Sequence, residues 1–170
     1  KSYSGGSHGG RGGDTAFSGS IPDAFGNYQQ PIDFGLGGVN SNSRGGGAIQ
    51  LIADTLQLEG KILANGENTV ANTHGGGGAG GSIWLDIGAI SSESGNGQIV
   101  ANGGDRFSNW LGGGGGGGRI AIYYNTKTNI ADSKITAVGG SGAQNGGTGT
   151  VFIKDKTNGQ ASFLKIQGLG

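Results

Sequence analysis

The residues able to do chemistry in this chain are few and widely spaced. Two histidines, His8 in SHGG and His74 in THGGGG, sit in matching glycine-flanked settings. As neighbours in space they would offer two imidazoles to a metal, but a protein metal site needs further ligands and the chain has no Cys. Histidines that hydrogen-bond at glycine turns are the plainer reading. The stretch GGRGGDTAF, from Gly9 to Phe17, comes within one position of the calcium-binding nonapeptide Gly-Gly-x-Gly-x-Asp-x-U-x. Ala16 stands where the large apolar residue U belongs, and there is a single copy, whereas calcium in such arrays sits between successive turns. A calcium ion held by this stretch would fall at Asp14. The acidic residues are scattered singly, and none forms the paired-carboxylate arrangement that glycoside chemistry requires. Asp105 and Arg106 in GGDRF are the tight acid–base pair, and they read as a loop ion pair. Matches to Gly-x-Gly-x-x-Gly neither follow a strand nor open a helix, as a nucleotide site demands. The expectation is therefore no enzyme and no obligatory cofactor. Four aromatics stand out instead: Trp84, Trp110, Tyr123 and Phe152. As an exposed strip they would stack on sugar rings; covered, they form a second core layer or an interface between copies.

Composition narrows the setting. Glycine supplies 43 of the 170 residues, hydrophobic residues 32% and charged residues 13%. Eleven Lys and Arg balance eleven Asp and Glu, so the chain lacks the electrostatic footprint of a nucleic-acid or anionic-membrane binder. No apolar run approaches the roughly 20 residues that span a bilayer. The absence of Cys fits a secreted or surface protein that avoids stray disulfides. The chain begins at Lys1, which reads as a processed mature chain or a piece of a longer one.

A repeat lies under the glycine. Segments beginning near residues 45, 80, 117 and 147 each open with Gly and continue into an alternating apolar strand, anchored at Ile49, Ile83, Ile120 and Val151. The anchors are 34, 37 and 31 residues apart, periods typical of stacked-repeat architectures. A second short strand follows in each, starting at Ile62, Ile99, Ile135 and Leu164. Because side chains two apart share a strand face, Ile49/Leu51/Ala53, Ile83/Leu85/Ile87, Ile120/Ile122/Tyr124 and Val151/Ile153 would stack in columns. Asn65-Gly66 and Asn102-Gly103 mark matching strand ends and predict turns there. The pattern predicts an all-β, glycine-rich parallel β-helix or β-solenoid over 45–170, with 1–44 as an irregular N-terminal cap or flap. Asn-Gly is also the strongest hairpin signal, so an antiparallel β-sandwich is the alternative. The other strand face carries Gln50, Ile52, Trp84, Asp86, Ala121, Tyr123, Phe152 and Lys154, too apolar for open water.

The run of seven glycines, Gly112–Gly118, needs its own account. Ordering it costs on the order of 10 kcal/mol of backbone entropy, which close backbone packing can offset. The glycine-rich connections are expected to lie flat against the aromatic sheet face or against one another. The C-terminal FLKIQGLG shows no cap comparable to the N-terminal segment, which leaves that end bare.

In order and spacing, SGGSHGGRGG, GGGAIQL, LEGKILANGE, GGSIWL, GQIVANGGD and GGGGGGGRIAIYY resemble a glycine-rich repeat module of very large predicted surface proteins of uncultivated bacteria, found also in some plant and protist glycine-rich proteins. The resemblance spans Ser4 to Gly149. It implies a secreted or cell-surface β-solenoid with structural or adhesive use, and it brings no catalytic residues with it. The expected function is a noncatalytic extracellular structural subunit that self-associates into a homo-oligomer, surface layer or filament. The alternative is a carbohydrate-binding or adhesive module whose partner is a polysaccharide.

Overall fold

The computed structural model describes residues 3–14, 21–40, 42–70, 75–107, 111–158 and 162–166. Eight strands and one short 3-10 turn account for the regular structure among them, with no α-helix. The long strands are β1 (Ala48–Gln57), β3 (Ser82–Ser91) and β5 (Arg119–Thr128), followed by β7 (Thr150–Asp155) and β8 (Ser162–Lys165). They form one sheet in the order β1-β3-β5-β7-β8. The short strands β2 (Lys61–Leu63), β4 (Gln98–Val100) and β6 (Ile135–Thr136) form a second sheet, with the 3-10 turn Asp132–Lys134 leading into β6.

Pairing is parallel throughout except between β7 and β8. The hairpin alternative is thereby overturned. Register sets Ile49 beside Ile83, Ile83 beside Ile120 and Ile120 beside Val151, and likewise Leu51, Leu85, Ile122 and Ile153. These columns meet Ile62, Ile99 and Ile135 of the smaller sheet in one apolar core. Strands buried on a shared face need this register, because a slip of one residue would turn every Ile outward.

The fourth repeat departs from expectation. Leu164 does not join Ile62, Ile99 and Ile135; β8 turns back and pairs antiparallel with β7 in the larger sheet, Leu164 opposite Phe152. Asp155 shapes this turn, its carboxylate accepting from Thr157 N–H at 2.8 Å and from the Thr157 hydroxyl at 2.7 Å. Among the described residues no fourth strand joins the smaller sheet.

The glycine runs do not cover the aromatic face. They continue the strands end-on and pack against one another. Along Gly113–Gly118 the N–H groups donate in turn to Tyr3, Gln144, Gly104, Gly6, Gly147 and Ala101. The target therefore changes at each residue and recurs every third: 3 then 6, 144 then 147, 104 then 101. Three residues per turn is the rotation of the polyproline II helix, which has no internal hydrogen bonds to make. The carbonyls rotate in the same way. Gly113 and Gly116 accept from Gly77 and Gly80, Gly114 and Gly117 from Gly13 and Gly10, and Gly115 from Gly140. Segment 76–81 repeats the scheme, donating to Val39, Gly113, Glu67, Leu36, Gly116 and Ala64. A rod bonded on so many sides leaves almost no room for a Cβ, and Ala79 alone carries one in these two segments. One added at Gly115 would stand 1.9 Å from the Gly78 carbonyl oxygen, and at Gly114 1.9 Å from that of Gly140.

Asn65 and Asn102 also differ from expectation. Neither has positive φ, and neither turns the chain. Their side chains bridge successive repeats: Asn65 Oδ1 accepts from Asn102 N–H at 2.8 Å, and Asn102 Oδ1 from Val138 N–H at 3.0 Å. Three residues further on, Asn68 accepts from Asp105 N–H and Asp105 from Ser141 N–H, each at 2.7 Å. These amides and carboxylate replace backbone acceptors where the returning chain enters the glycine lattice.

Replacing Gly115 with Ala should cost about 3 kcal/mol or more, since the methyl must displace a backbone that carries hydrogen bonds. Gly60→Ala, where an added Cβ meets nothing within 4 Å, should be neutral or stabilise by up to about 1 kcal/mol. Thermal unfolding of both variants measures the contrast, and equal melting temperatures would refute the lattice.

Candidate functional site

Sequence analysis singled out an aromatic face, and the structure brings part of it together. On the outer face of the larger sheet, register sets Gln50, Trp84, Ala121 and Phe152 side by side, with Ile52, Asp86, Tyr123 and Lys154 in the next row. Tyr123 and Phe152 are neighbours, with ring centroids 5.7 Å apart. Trp84 is half-buried, and its indole nitrogen is buried without an acceptor. Trp110 lies outside the described residues.

Residues 21–35 run across this face as a strap. Tyr28 meets Phe152 edge-on at 5.6 Å, Tyr123 Oη donates to the Gln29 carbonyl at 2.8 Å, and Ser82 Oγ donates to that of Asp33 at 2.6 Å. Asn27 turns the strap, its Oδ1 accepting from Gln29 N–H at 2.8 Å. Phe152 and Ala121 are buried as a result, and Pro31 is among the fully buried side chains. Burial, then the charge of Asp86 and the neighbouring Tyr28, push the Tyr123 hydroxyl above its ordinary pKa. Phe152 is thereby packed away, while Trp84 and Tyr123 stay half-buried and Tyr28 exposed.

Under one end of the strap lies a polar cluster that sequence reasoning missed as a unit. His8 is fully buried, with Nδ1 2.9 Å from the Gly80 carbonyl oxygen and its ring 5.1 Å from that of Phe25. Only an N–H can bond that carbonyl, so Nδ1 is protonated, and in the neutral ring that burial favours Nε2 carries a lone pair. Nε2 has no hydrogen-bond partner. Arg119, 8% exposed, donates from Nε to the Phe25 carbonyl at 2.7 Å and from Nη1 to Thr150 Oγ1 at 3.1 Å. Gly26 has φ +87°, and a Cβ there would come within 2.9 Å of Asp33 Oδ2, 3.2 Å of His8 Nε2 and 3.3 Å of Arg119 Nε. These groups come from distant parts of the chain, and no local motif connects them. Burial, followed by the positive charge of Arg119, lowers the His8 pKa despite its bond to Gly80.

Asp14 lines an open hollow of about 300 Å³ with Arg11, Gly12, Ile21, Gln144, Asn145 and Gly147. Its own N–H donates to Gln144 Oε1 at 2.7 Å. The nonapeptide-like glycines are lattice members, Gly10 N–H bonding Gly117 and Gly13 N–H bonding Gly114. His74 lies outside the described residues, so its pairing with His8 is not placed. Among the described residues no three His, Cys, Asp or Glu side chains gather as a metal site would require. Several acidic groups instead hold turns. Glu59 accepts from Glu93 N–H at 2.6 Å and Ser94 N–H at 3.1 Å, and the Ser94 hydroxyl above all keeps its carboxyl below the usual range.

The last element of the site is an edge. No described strand pairs with the free side of β1. Ile49, Leu51 and Ile62 are only partly buried there, whereas Ile83, Leu85 and Ile99 in the next repeat are sealed. Leu63 is 49% exposed on the same end.

The buried neutral His8 makes stability depend on pH. The unfolded chain takes up a proton as pH falls through the ordinary value of 6.5, while the native state resists, so stability is full above that value and is lost as pH drops toward the lowered native pKa. Urea unfolding at pH 7.5 and pH 5.5 should show this loss in the wild type. In His8→Asn, whose amide can still donate to Gly80, the pH dependence should be much flatter; an unchanged slope would remove His8 as its source. Comparison with protein-family models, with curated proteins and with solved structures finds no match, so no family membership is assigned.

Proposed function

We propose that this chain is a noncatalytic structural subunit of the cell exterior, built as a β-solenoid and associating with further copies of itself. The observation that carries the reading is the uninterrupted register. Equivalent residues of successive repeats stack through β1, β3, β5 and β7, and the column stops at β1 with its apolar members half open. Two parallel sheets joined rung by rung are what a flattened solenoid winding would produce, and the Asn65–Asn102–Val138 bridges repeat at the same interval. An unpaired strand edge of ten residues is the feature that single soluble subunits suppress and assembling ones use. The roles taken by Glu59, Asp105 and Asp155 in shaping turns support a scaffold rather than a reaction centre. The cysteine-free composition and the resemblance to glycine-rich surface modules support the location. Glycan binding draws less support, because it calls for exposed Trp84 and Tyr123, and both are half-buried with Tyr123 bonded to the strap.

Electron microscopy and sedimentation velocity of the purified chain across a dilution series test this. Concentration-dependent oligomers or regular fibres are expected. Monomers at every concentration would refute self-association.

A further inference from the structure

Two glycines are small without a reason among the described residues. In the interior repeats, the glycines that open each long strand must be glycine. A Cβ at Gly81 would lie 1.9 Å from the Gly47 carbonyl oxygen, one at Gly118 2.1 Å from that of Gly81, and one at Gly149 1.9 Å from that of Gly118. Each thus makes room for the backbone of the repeat before it. Before β4 the same holds, a Cβ at Gly97 coming within 2.4 Å of the Leu58 carbonyl oxygen, although Ser133 takes this position before β6. Gly47 and Gly60 occupy the equivalent positions in the first repeat, and a Cβ on either meets nothing within 4 Å. Neither has positive φ, so conformation does not demand glycine. What remains is room for a backbone that the described residues do not supply.

The opposite end of the molecule carries a matching surface. β8 sets Phe163 opposite Ile153 and Leu164 opposite Phe152, so Phe163 extends the Leu51–Leu85–Ile122–Ile153 column and Leu164 the outer one. Phe163 and Leu164 are 48% and 45% exposed, and no described strand covers the outer edge of β8. One end thus presents a half-open core column with a free strand edge, and the other presents an apolar residue of the same column on a second free edge. A formal net charge of zero leaves no overall repulsion between copies.

We propose that the β1 end docks the β8 end of a second copy, with β8 antiparallel along β1 and with Gly47 and Gly60 keeping the edge beside that strand clear for the approach. Continued across the contact, the register sets the second copy's Phe163 beside Leu51 and its Leu164 beside Gln50. The contact is heterologous, so it propagates as a filament unless it closes into a ring. This rests on the self-association reading and specifies its interface.

Gly47→Lys places a side chain in the docking space without touching the subunit, and Phe163→Asp spoils the other end. Gly60→Lys and Leu164→Lys are second variants for the same two ends. All should keep the wild-type circular dichroism and melt cooperatively, and any that does not is replaced by its alternate. In sedimentation velocity the wild type should assemble, each variant alone should stay monomeric, and an equimolar mixture of Gly47→Lys with Phe163→Asp should form 1:1 dimers and nothing larger. Each of those variants keeps one intact end, so only a head-to-tail contact gives that result. Wild-type assembly that survives Gly47→Lys and Gly60→Lys would overturn the docking inference and leave self-association standing. Dimers of Phe163→Asp alone would overturn it in favour of two β1 ends paired face to face. A wild type that is monomeric at every concentration would overturn both.

Discussion

The structure depends on a backbone that hydrogen-bonds in three directions. In a β-sheet each strand has two neighbours, and its side chains point to the remaining two sides. In segment 113–118 the hydrogen bonds rotate by a third of a turn per residue and reach neighbours all around. That geometry removes almost every side where a Cβ could point, which is why so much of the composition is glycine. The entropy cost of ordering such residues is met by pairing both polar groups of each one. The lattice then holds the outgoing and returning legs of each repeat at backbone distance from one another.

Everything apolar is organised by what the lattice delivers. Each long strand leaves a glycine segment at the same level, so the first Ile after the glycines falls in one column from Ile49 to Val151. The returning legs re-enter beside them, with Asn65, Asn68, Asn102 and Asp105 supplying acceptors at the boundary. The strap protects the aromatic outer face, and Arg119, at the junction between the glycine run and β5, fastens it through the Phe25 carbonyl. Scaffold and cover thus meet at one residue, beside the buried His8.

The columns were legible in the sequence because alternation with period two survives in each repeat, and aligning Ile49, Ile83, Ile120 and Val151 required no adjustment. The parallel sense was the leading reading and holds for the repeats, though Asn-Gly, which fits a hairpin as well as a ladder, kept the antiparallel alternative open. The fourth repeat misled for a related reason: Leu164 has the right spacing, but spacing carries no information about which sheet a strand joins. The glycine runs were read as close-packed, yet their partners lie at Tyr3, Gln144 and Gly104, and a residue without a side chain leaves no pattern by which to find them. The cluster of His8, Asp33 and Arg119 was hidden because its members lie far apart in the chain. The spare glycines at 47 and 60 looked like all the others until their neighbours were known.

The N-terminal segments 3–6 and 10–13 flank the run 113–118, which also bonds to 144 and 147. Segments from the first part of this sequence therefore find their places against segments of its second half. The strands can zip together repeat by repeat through contacts about 35 residues apart, but the lattice closes only by bringing together points separated by more than 100. Loop closure over such distances is slow, and folding rates fall as contacts become less local. Folding of this protein thus has two tempos, with an early sheet and a late glycine lattice that waits for its most distant segments to meet.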